Sequence, residues 1–426
     1  MGNASSTPAA DAPRVVVIGG GYAGLSVAEA LQARTRVTLI DPKPHFHHLL
    51  GATRALAAPG FEHAIHIPRD RLLRGCTLLV GAVTRVDYGG RAVHLLDAAG
   101  AAASVPFDFV VVATGLAYAS PGFAPLDGTA ASLRAYAAVR AALAAARHVV
   151  VVGGGSVGAE VAGEAAAAHP GVRFTLLHSG DRLISSKGAN GAAADEPAIS
   201  DAALARLKRL GVAVHLNTRV ARPSGAAAAA LAPVAPHVLA GDCVLATAAP
   251  GGATFACDLQ IWTAGAARAN TGFLEASDGG LAGALEPRTG ELRVDAQLRA
   301  PGFPRLFGAG DVAASGHPKM ALVVERCTAA VVAGNVLAAA RVAAAGGDVD
   351  GGAPLPGMRA APAWTTTAMI VVLSPTVGFG KLGPLWLPDA VVARAKGRDK
   401  LAARYHARLG YTAHELQQQA QAQPQS

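Results

Sequence analysis

A glycine triplet followed by an acid is the first pattern in this sequence that could do chemistry. Gly19, Gly21 and Gly24 have G-x-G-x-x-G spacing, and Asp41 ends the next apolar run. Glycines at this spacing permit a tight turn, a close approach of backbone to a pyrophosphate, and close packing of a helix on a strand. A carboxylate at the second strand end accepts hydrogen bonds from ribose hydroxyls. The pattern predicts a dinucleotide site.

The same glycine spacing returns later, with a histidine where the first copy has its acid. Gly153, Gly155 and Gly158 repeat the triplet, and His178 takes the position of the acid. The carboxylate that would repel a 2′-phosphate is therefore absent, and Arg182 lies near enough in sequence to pair with such a phosphate. We predict a second dinucleotide, NADH or NADPH, without a strict preference for NADH.

The segments around both triplets predict the strands and helices that would position them. Continuous apolar, β-branched runs precede the glycines, RVVVIGG at residues 14–20 and HVVVVGG at residues 148–154. Such runs are typical of strands buried on both faces of a parallel sheet. Helical segments follow the glycines, and TRVTLID and VRFTLLH then predict the returning strands. The predicted fold class is α/β, with two Rossmann-like dinucleotide-binding domains that hold phosphates at helix N-termini.

Composition limits the remaining classes of protein. The chain has 426 residues, 51% hydrophobic and 15% charged, which favours two or three domains with sizeable cores. Its four cysteines have neither C-x-x-C nor zinc-type spacing and predict buried thiols in a reducing compartment. The formal charge of +8 suits an acidic partner. Nucleic acid is not expected, because arginines and lysines do not alternate with aromatic residues.

The N-terminal segment and the apolar runs bear on location. No secretory leader is expected, because a strand begins by Arg14. No membrane span is expected either, because the best apolar run, residues 368–373, is too short. The opening MGNASS fits the N-myristoylation pattern at Gly2, and a disordered leader of small residues fits it equally.

A basic amphipathic helix is predicted over residues 391–409. The alternative is an ordinary surface helix packed on its own domain, and Gly397 weakens the helix prediction. A single acyl chain binds a membrane only marginally, so basic residues near an anionic surface would supply the second signal. We therefore predict a cytoplasmic protein that lies peripherally on a membrane surface, without a transmembrane helix.

Three further phrases resemble the two-dinucleotide flavoproteins of the pyridine nucleotide-disulfide reductase type. They are FDFVVVATG at 107–115, LQIWTAG at 259–265 and RLFGAGDV at 305–312. A closer resemblance, to the ferroptosis suppressor protein and apoptosis-inducing factor 2-like family, covers nearly the whole chain except 221–256. It is carried by DPKPHFHHLLGATRAL, GGGSVGAEVAGE, GDVAASGHPKMAL, GKLGPLW and KGRDKLAARY. That family is related to type II NADH:quinone dehydrogenases.

The resemblance implies FAD in the first domain and NADH or NADPH as co-substrate in the second. Hydride would pass from NAD(P)H to the flavin. Because no C-x-x-C or C-x-x-x-x-C pair exists to receive electrons, they would leave the flavin directly for a ubiquinone-like quinone. Two alternatives stay open: reduction of a soluble acceptor, ferredoxin or monodehydroascorbate, and a non-enzymatic nucleic-acid-binding or apoptosis-linked role. The sequence leaves the oligomeric state open, a homodimer included.

Individual site residues follow from the same resemblance. Glu160 and Lys319 are the predicted catalytic residues; the alternatives are a carboxylate that only suits a helix N-terminus and a solvated lysine at a helix start. The other predicted cofactor contacts, beyond the positions given above, are His47, His48, Arg54, Val83, Ala113, Thr114, Gly115, Gly265, Gly310 and Asp311. Asp311 would meet the ribityl chain of FAD. His45 completes a histidine cluster, but no carboxylate or cysteine at suitable spacing predicts a metal.

The predicted domain order follows from where these phrases stand. Residues 1–12 would be a flexible N-terminus, 13–130 and 267–357 the FAD-binding domain, 131–266 the NAD(P)-binding domain, and 358–426 a membrane- and quinone-facing module. The NAD(P)-binding domain is thus expected as an insertion in the FAD-binding domain.

Overall fold

The computed structural model describes residues 8–118, 128–185, 197–223, 231–244, 254–265, 268–364 and 368–422. Contacts divide the chain into two compact units. The first comprises the described parts of Met1–His47, Pro68–Ala117 and Ala267–Trp364, and the second those of His48–Ile67, Tyr118–Ala266 and Thr365–Ser426. Residues 48–67 and the C-terminal segment therefore group with the second glycine triplet. The sequence had assigned them to the FAD-binding domain and to a separate module.

An eight-stranded sheet forms the centre of the first unit. In spatial order its strands are Arg299–Ala300, Phe303–Gly308, Phe109–Val112, Arg14–Ile18, Arg36–Asp41, Cys76–Asp87, Ala92–Asp97 and Ala102–Pro106. The strands from Phe303–Gly308 to Cys76–Asp87 run parallel, and Ile18 is in register with Ile40 and Val112. The predicted strand, helix and returning strand around the first triplet are confirmed as Arg14–Ile18, Tyr22–Leu31 and Arg36–Asp41.

Helices and short strands cover this sheet. The helical segments are Tyr22–Leu31, Gly272–Glu275, Leu281–Ala284, Gly310–Val312, Ala321–Val323, a π-helical turn at Val324–Ala329, and Ala330–Ala344. The short strands are His45–His47, Leu116–Ala117, Arg268–Ala269, Leu292–Arg293 and Ala313–Ala314. Apolar side chains of the sheet, such as Val16, Val110 and Leu306, pack with Leu274 and Leu281 into one buried cluster. Burial of such side chains is the main force that holds the unit together.

One helix in the described part of the chain has the length and apolar composition of a membrane span. It is the 24-residue stretch Ala321–Ala344, which includes the π-helical turn, and half of its most apolar window is buried. The helix packs against Tyr22–Leu31 within the first unit. A core helix passes the same test of length and composition, so the finding carries little weight for a membrane span.

A six-stranded sheet forms the centre of the second unit. Its strands, in spatial order, are Val212–His215, Arg173–Leu177, His148–Val152, Leu259–Trp262, Val238–Ala240 and Ala232–Ala235. The first four strands run parallel. Val238–Ala240 pairs antiparallel with Leu259–Trp262, and Ala232–Ala235 pairs antiparallel with Val238–Ala240. The elements predicted around the second triplet are confirmed as His148–Val152, Ser156–Ala168 and Arg173–Leu177.

The remaining elements of the second unit come from three separate stretches of chain. Its helical segments are Leu49–Gly51, Ala52–Ala55, Phe61–Ala64, Gly128–Ala145, Ser156–Ala168, Pro197–Arg209, Asp389–Val392, a π-helical turn at Ala393–Gly397, Ala402–Leu409 and Ala413–Ala422. Its shorter strands are Cys243–Val244, Thr254–Phe255, Ala368–Val372, Gly378–Leu382 and Leu385–Leu387, and the strand His66–Pro68 begins in this unit.

The predicted continuous helix over 391–409 is wrong. Lys400 and Leu401 adopt left-handed backbone conformations, with φ of 54° and 68°, and so separate the π-helical turn from the helix Ala402–Leu409. The apolar face also turns inward, because Tyr405 and Leu409 are fully buried. The alternative interpretation, a helix packed on its own unit, fits the structure.

Candidate dinucleotide sites

The three glycines of the first triplet have three different surroundings. Gly19 has φ of +100°, and a Cβ there would lie 2.5 Å from the carbonyl oxygen of Ala113. A Cβ on Gly24 would overlap the carbonyl oxygen of Gly19, so helix and strand pack with no room for a side chain. Around Gly21, by contrast, no protein atom lies within 4 Å of such a Cβ. The first glycine loop, residues 19–24, therefore leaves open space at the position where the pattern predicts a pyrophosphate.

Asp41 closes this loop from the end of the neighbouring strand. One carboxylate oxygen accepts a hydrogen bond from the backbone N–H of Gly20 at 2.5 Å, and the other accepts from the N–H of Lys43 at 2.8 Å. The guanidinium of Arg69 lies 3.4 Å from the same carboxylate and is almost completely buried. Asp41 thus orders the glycine loop in addition to its predicted contact with ribose.

Arg69 is a site residue that the sequence analysis missed. Its Nε donates to the carbonyl of Gly20 at 3.2 Å and its Nη1 to the carbonyl of Lys43 at 2.7 Å. Burial lowers the pKa of Arg69, and the charge of Asp41 opposes that shift. A single arginine far along the chain from the triplet belongs to no recognisable motif, so the sequence alone does not indicate that Arg69 contacts the first glycine loop and Asp41.

Asp311 and Lys319 belong to one anchored loop in the first unit. Asp311 lies in the helical turn Gly310–Val312, directly after the strand Phe303–Gly308. The ammonium of Lys319 donates to the carbonyls of Asp311 and Ala313 at 2.7 and 2.8 Å and pairs with Glu291 at 3.2 Å. Lys319 therefore holds in place the loop that carries Asp311, rather than standing as a solvated helix-start residue. A direct catalytic role for Lys319 stays a prediction.

Three of the other predicted contacts of the first unit directly follow a strand, and the fourth, Val83, lies within one. Ala113 and Thr114 follow the strand Phe109–Val112, and Thr114 is fixed by reciprocal hydrogen bonds with Asn270 at 2.8 and 3.0 Å. Gly115 has φ of +66°, in the left-handed region that favours glycine. Val83 is half-buried within the strand Cys76–Asp87.

The histidine cluster is divided between the two units. His45 and His47 belong to the first unit, whereas His48 belongs to the second and is fully buried there. The Nε2 of His48 lies 2.8 Å from the carbonyl oxygen of Lys400, and burial lowers the pKa of His48 to about 4. His48 is therefore neutral near pH 7. Among the described residues, no group of three or more His, Cys, Asp or Glu is placed to hold a metal ion.

The second glycine triplet repeats the three environments of the first. Gly153 has φ of +112°, and a Cβ there would lie 2.8 Å from the backbone nitrogen of Ala264. A Cβ on Gly158 would overlap the carbonyl oxygen of Gly153, while Gly155 faces open space. Gly265 follows in a left-handed conformation, with φ of +146°. The second glycine loop, residues 153–158, has the same form as the first.

His178 closes the second loop as Asp41 closes the first. Its Nδ1 accepts the backbone N–H of Gly154 at 3.1 Å, which requires the proton on Nε2. Burial lowers the pKa of His178, so the ring is neutral at pH 7. Arg182 is partly exposed, with its Nε 3.7 Å from the carboxylate of Asp181. A neutral side chain therefore closes the second loop, with Arg182 nearby in sequence, and contact of either residue with a 2′-phosphate stays a prediction.

Glu160 lies in a buried cluster of charges within the second unit. Its carboxylate is 3.0 Å from the ammonium of Lys400 and 3.7 Å from that of Lys396, and it accepts a hydrogen bond from Thr53 at 3.2 Å. Lys400 has no exposed surface and also pairs with Glu164 at 2.9 Å. Burial opposes ionisation of Glu160, but the two ammonium groups outweigh it and hold the pKa of Glu160 below its usual value. The predicted catalytic role of Glu160 is untested by this placement.

Arg54 completes the same cluster. Its guanidinium makes two hydrogen bonds to Glu164, at 2.8 and 3.0 Å, and donates to the carbonyls of Gly397 and Arg398 at 2.6 and 2.9 Å. The sequence predicted that Arg54 lies near the flavin phosphates. In the structure its donors bind groups of the second unit, so that role stays a prediction without geometric support.

Two glycine loops, each between a parallel strand and a helix and each closed by the neighbouring strand end, define a two-dinucleotide α/β protein. The model of the family described as pyridine nucleotide-disulphide oxidoreductase matches residues 13–335, and the chain belongs to this family. The protein therefore binds FAD and uses NAD(P)H as an oxidoreductase. The fold class, the cofactors and the family predicted from the sequence are confirmed.

Individual relatives agree with the resemblance seen in the sequence. Apoptosis-inducing factor homolog B of Dictyostelium discoideum is 28% identical over 306 residues, 70% of this chain and 74% of the relative. Ferroptosis suppressor protein 1 of Homo sapiens is 29% identical over 312 residues, 72% of this chain and 76% of the relative. The sulfide:quinone oxidoreductase of Aquifex aeolicus shares the fold, with a TM-score of 0.67 at 17% identity, over 94% of this chain and 92% of that one.

Proposed function

We propose that the protein passes electrons from NADH or NADPH, through FAD, to a quinone-type acceptor at a membrane surface. FAD, when bound, accepts a hydride and gives up its electrons singly or in pairs. The acceptor class rests on one observation. The chain has no C-x-x-C or C-x-x-x-x-C pair, and the first fingerprint helix, Tyr22–Leu31, contains no cysteine. A redox-active disulfide beside the first glycine loop therefore cannot accept electrons from the flavin, so they must pass directly to an external acceptor.

The residues of each unit have separate tasks in this proposal. The first glycine loop holds the FAD pyrophosphate, Asp41 binds ribose, and Asp311 binds the ribityl chain from the loop that Lys319 anchors. The second glycine loop holds the pyrophosphate of NAD(P)H, and His178 lies at the adenosine ribose. None of these tasks requires a charged nucleophile or a metal.

One similar structure and one similar relative support the quinone as acceptor. The similar structure from Aquifex aeolicus is a sulfide:quinone oxidoreductase, so this fold carries quinone reduction in at least one other protein. Ferroptosis suppressor protein 1 of Homo sapiens is similar over 76% of its length, which supports the family resemblance on which the quinone prediction was based. A quinone is the acceptor that agrees with this resemblance and with the solved structure.

A hairpin in the second unit is the proposed membrane contact. The strands Gly378–Leu382 and Leu385–Leu387 form its arms, and its apolar side chains are unusually exposed: Leu382 by 52%, Leu385 by 59% and Trp386 by 39%. Lys381 lies over the ring of Trp386, with its ammonium 5.7 Å from the ring centroid. Tryptophan and lysine together suit the boundary between acyl chains and anionic headgroups. This hairpin replaces the packed helix Ala402–Leu409 as the lipid-facing element.

Lipidation at Gly2 remains part of the proposal, although Gly2 lies outside the described residues. One acyl chain alone gives marginal membrane affinity, and the hairpin would supply the second contact. Turnover in a membrane would then depend on both, while reaction with a water-soluble quinone would depend on neither.

A panel of electron acceptors tests the proposed reaction. We expect NADH to reduce the flavin of the purified protein in a stopped-flow experiment, and a short-chain quinone to reoxidise it faster than ferredoxin or monodehydroascorbate does. Faster reoxidation by either soluble acceptor would transfer the assignment to that acceptor. Absence of flavin reduction by both coenzymes would favour the non-enzymatic alternative.

Liposome flotation tests the hairpin. Leu385→Ser combined with Trp386→Ser should release the protein from anionic vesicles and lower turnover with a vesicle-dissolved quinone, while turnover with a soluble quinone stays unchanged. The matched control is Leu96→Ser, which removes an exposed leucine, 43% accessible, from the first unit. Equal flotation of the hairpin variant and this control would remove the hairpin from the proposal without affecting the quinone assignment.

A further inference from the structure

Two of the four cysteines, Cys243 and Cys257, lie close together in the second unit, although their spacing of 14 residues matches no cysteine motif. Cys243 begins the strand Cys243–Val244 and stands opposite Phe255 in an antiparallel pair. Cys257 follows two residues beyond that partner, and the two Sγ atoms are 4.0 Å apart. Cys243 is completely buried and Cys257 nearly so. The sequence predicted buried thiols, which is correct for Cys243, Cys257 and Cys327 and not for the half-buried Cys76, and its spacing gave no sign that two of them meet.

A set of backbone hydrogen bonds holds the two cysteines in this arrangement. The thiol of Cys257 donates to the carbonyl of Gly241 at 3.2 Å, and its backbone N–H donates to the carboxylate of Asp242 at 2.9 Å. The side-chain amide of Gln260 donates to the carbonyls of Gly241 and Asp242 at 2.9 and 2.6 Å. Because the backbone on both sides is fixed, the sulfur atoms cannot easily separate. Formation of a disulfide bond requires the two sulfur atoms to approach from 4.0 Å to about 2.0 Å.

The two thiols are not equivalent. The hydrogen bond between the sulfur atoms lowers the pKa of Cys257, whereas that bond and burial raise the pKa of Cys243. Cys257 is also the only one of the two with exposed surface, 9% against 0% for Cys243, so its sulfur is the one that a small oxidant reaches first, and its thiolate is the nucleophile. Cys243 is placed to attack the product.

We propose that Cys243 and Cys257 form a reversible disulfide, a modification site in the NAD(P)-binding unit, with hydrogen peroxide as the oxidant. The thiolate of Cys257 attacks one peroxide oxygen and breaks the O–O bond, which gives a sulfenic acid on Cys257 and, after protonation, water. The sulfur of Cys243 then attacks the sulfenic sulfur and displaces a second water. Two thiols are oxidised by two electrons in all, and one peroxide is reduced to two waters. A small dithiol reverses the change.

The position of this pair gives it a spectroscopic readout. Cys243 and Cys257 lie in one buried cluster with Trp262 and Val152, and Val152 immediately precedes the second glycine loop. Trp262 is tied to the same frame, because its indole N–H donates to Gln260 at 3.0 Å. Since a disulfide quenches a nearby indole more strongly than a thiol does, oxidation should lower the fluorescence of Trp262.

Peptide mapping of the full-length flavoprotein after treatment with equimolar peroxide tests the proposal. We expect one peptide pair joined through Cys243 and Cys257, lighter by two hydrogens, which dithiothreitol separates. The same pair should form in the double variant Cys76→Ser, Cys327→Ser. A protein whose thiols all alkylate freely after peroxide, or whose crosslinks involve Cys76 or Cys327, would overturn the proposal.

Single variants separate the order of the two steps. In Cys243→Ser, a sulfenic acid should persist on Cys257 and react with dimedone; in Cys257→Ser, Cys243 should stay reduced. The drop in tryptophan fluorescence should occur in the unmutated protein and be absent from Trp262→Phe. Sulfenic acid on Cys243 in place of Cys257 would refute the assigned order. The peptide map of the unmutated protein decides the disulfide itself even if a variant does not fold.

Discussion

The two glycine loops have one backbone form and two different closures. In each, the first glycine is left-handed, the second faces open space and the third lies against a carbonyl oxygen. The backbone N–H after the first glycine donates to a carboxylate in one loop, Asp41, and to an imidazole in the other, His178. The comparison teaches that the strand-end residue has a structural task, acceptance of that N–H, which any acceptor can fulfil. Because both a carboxylate and an imidazole fulfil this task, the charge of the residue at this position can differ between the two nucleotide sites.

The closures also differ in the charges that surround them. The carboxylate of Asp41 lies 3.4 Å from the buried guanidinium of Arg69, so the first closure includes an ion pair. His178 makes no such pair, and the buried acids of the second fingerprint helix, Glu160 and Glu164, pair instead with Lys400. The first loop therefore depends on a charge pair for its shape, and the second does not.

The largest expected effect comes from a methyl group at the packing glycine. Gly24→Ala should abolish FAD loading and lower the free energy of unfolding by about 1–3 kcal/mol or more, because its Cβ would overlap the carbonyl of Gly19. Gly21→Ala should leave the thermal stability of the apoprotein nearly unchanged and weaken FAD binding. Thermal unfolding and flavin absorbance after gel filtration measure both. Equal stability loss in the two variants would contradict the separate roles.

The ion pair gives the next effect. Asp41→Asn should lower the free energy of unfolding by roughly 3 kcal/mol, since removal of one partner leaves a buried guanidinium unpaired. His178→Asn, the matched change in the second unit, should cost much less, because no buried charge depends on it. Urea unfolding followed by flavin release gives the numbers. A larger loss from His178→Asn would reverse the comparison.

Coenzyme choice should respond to the second closure. NADH and NADPH should reduce the flavin at rates within about tenfold, a difference of roughly 1.4 kcal/mol, because His178, rather than a carboxylate, closes the second glycine loop. His178→Asp should slow NADPH by at least about tenfold relative to NADH, through repulsion. His178→Asn, which adds no charge, serves as the control. A thousandfold preference for NADH in the unmutated protein would sink this interpretation.

The effect that is smallest at pH 7, and grows only on acidification, is a pH dependence carried by His48 in the second unit. Its pKa is about 4 in the folded protein and about 6.5 in an unfolded chain, so between these values the unfolded chain binds the extra proton. Stability should therefore fall as pH falls from 6.5 towards 4, by up to about 1.4 kcal/mol per unit. His48→Gln keeps a donor for the Lys400 carbonyl and should flatten that slope. An identical slope in the variant would show that other groups cause it.

The sequence predicted what repeats locally and missed what depends on distant chain segments. Strand, glycine loop and helix are encoded by consecutive residues, so both copies were predictable from spacing and from apolar, β-branched runs. The contacts of Arg69 and Lys400 could not be predicted, because each residue completes its site from another part of the chain: Arg69 belongs to no motif, and the stretch KGRDKLAARY, which contains Lys400, does not indicate a partner. The 391–409 helix was predicted wrongly for a related reason: periodicity shows an apolar face, but not whether lipid or protein covers it.

The ion-pair partners of the buried carboxylates lie far apart in the sequence, and this determines when each pair can form during synthesis of the chain. Glu160 leaves the ribosome 240 residues before Lys400, its ion-pair partner. At about 5–20 residues per second, synthesis of that interval takes roughly 12–48 s. During this time Glu164 already has a cationic partner in the chain, Arg54, whereas Glu160 has neither of its ammonium partners, Lys396 and Lys400. A chain that stops before residue 396 would therefore have to bury Glu160 without a counter-charge, which opposes closure of the second unit.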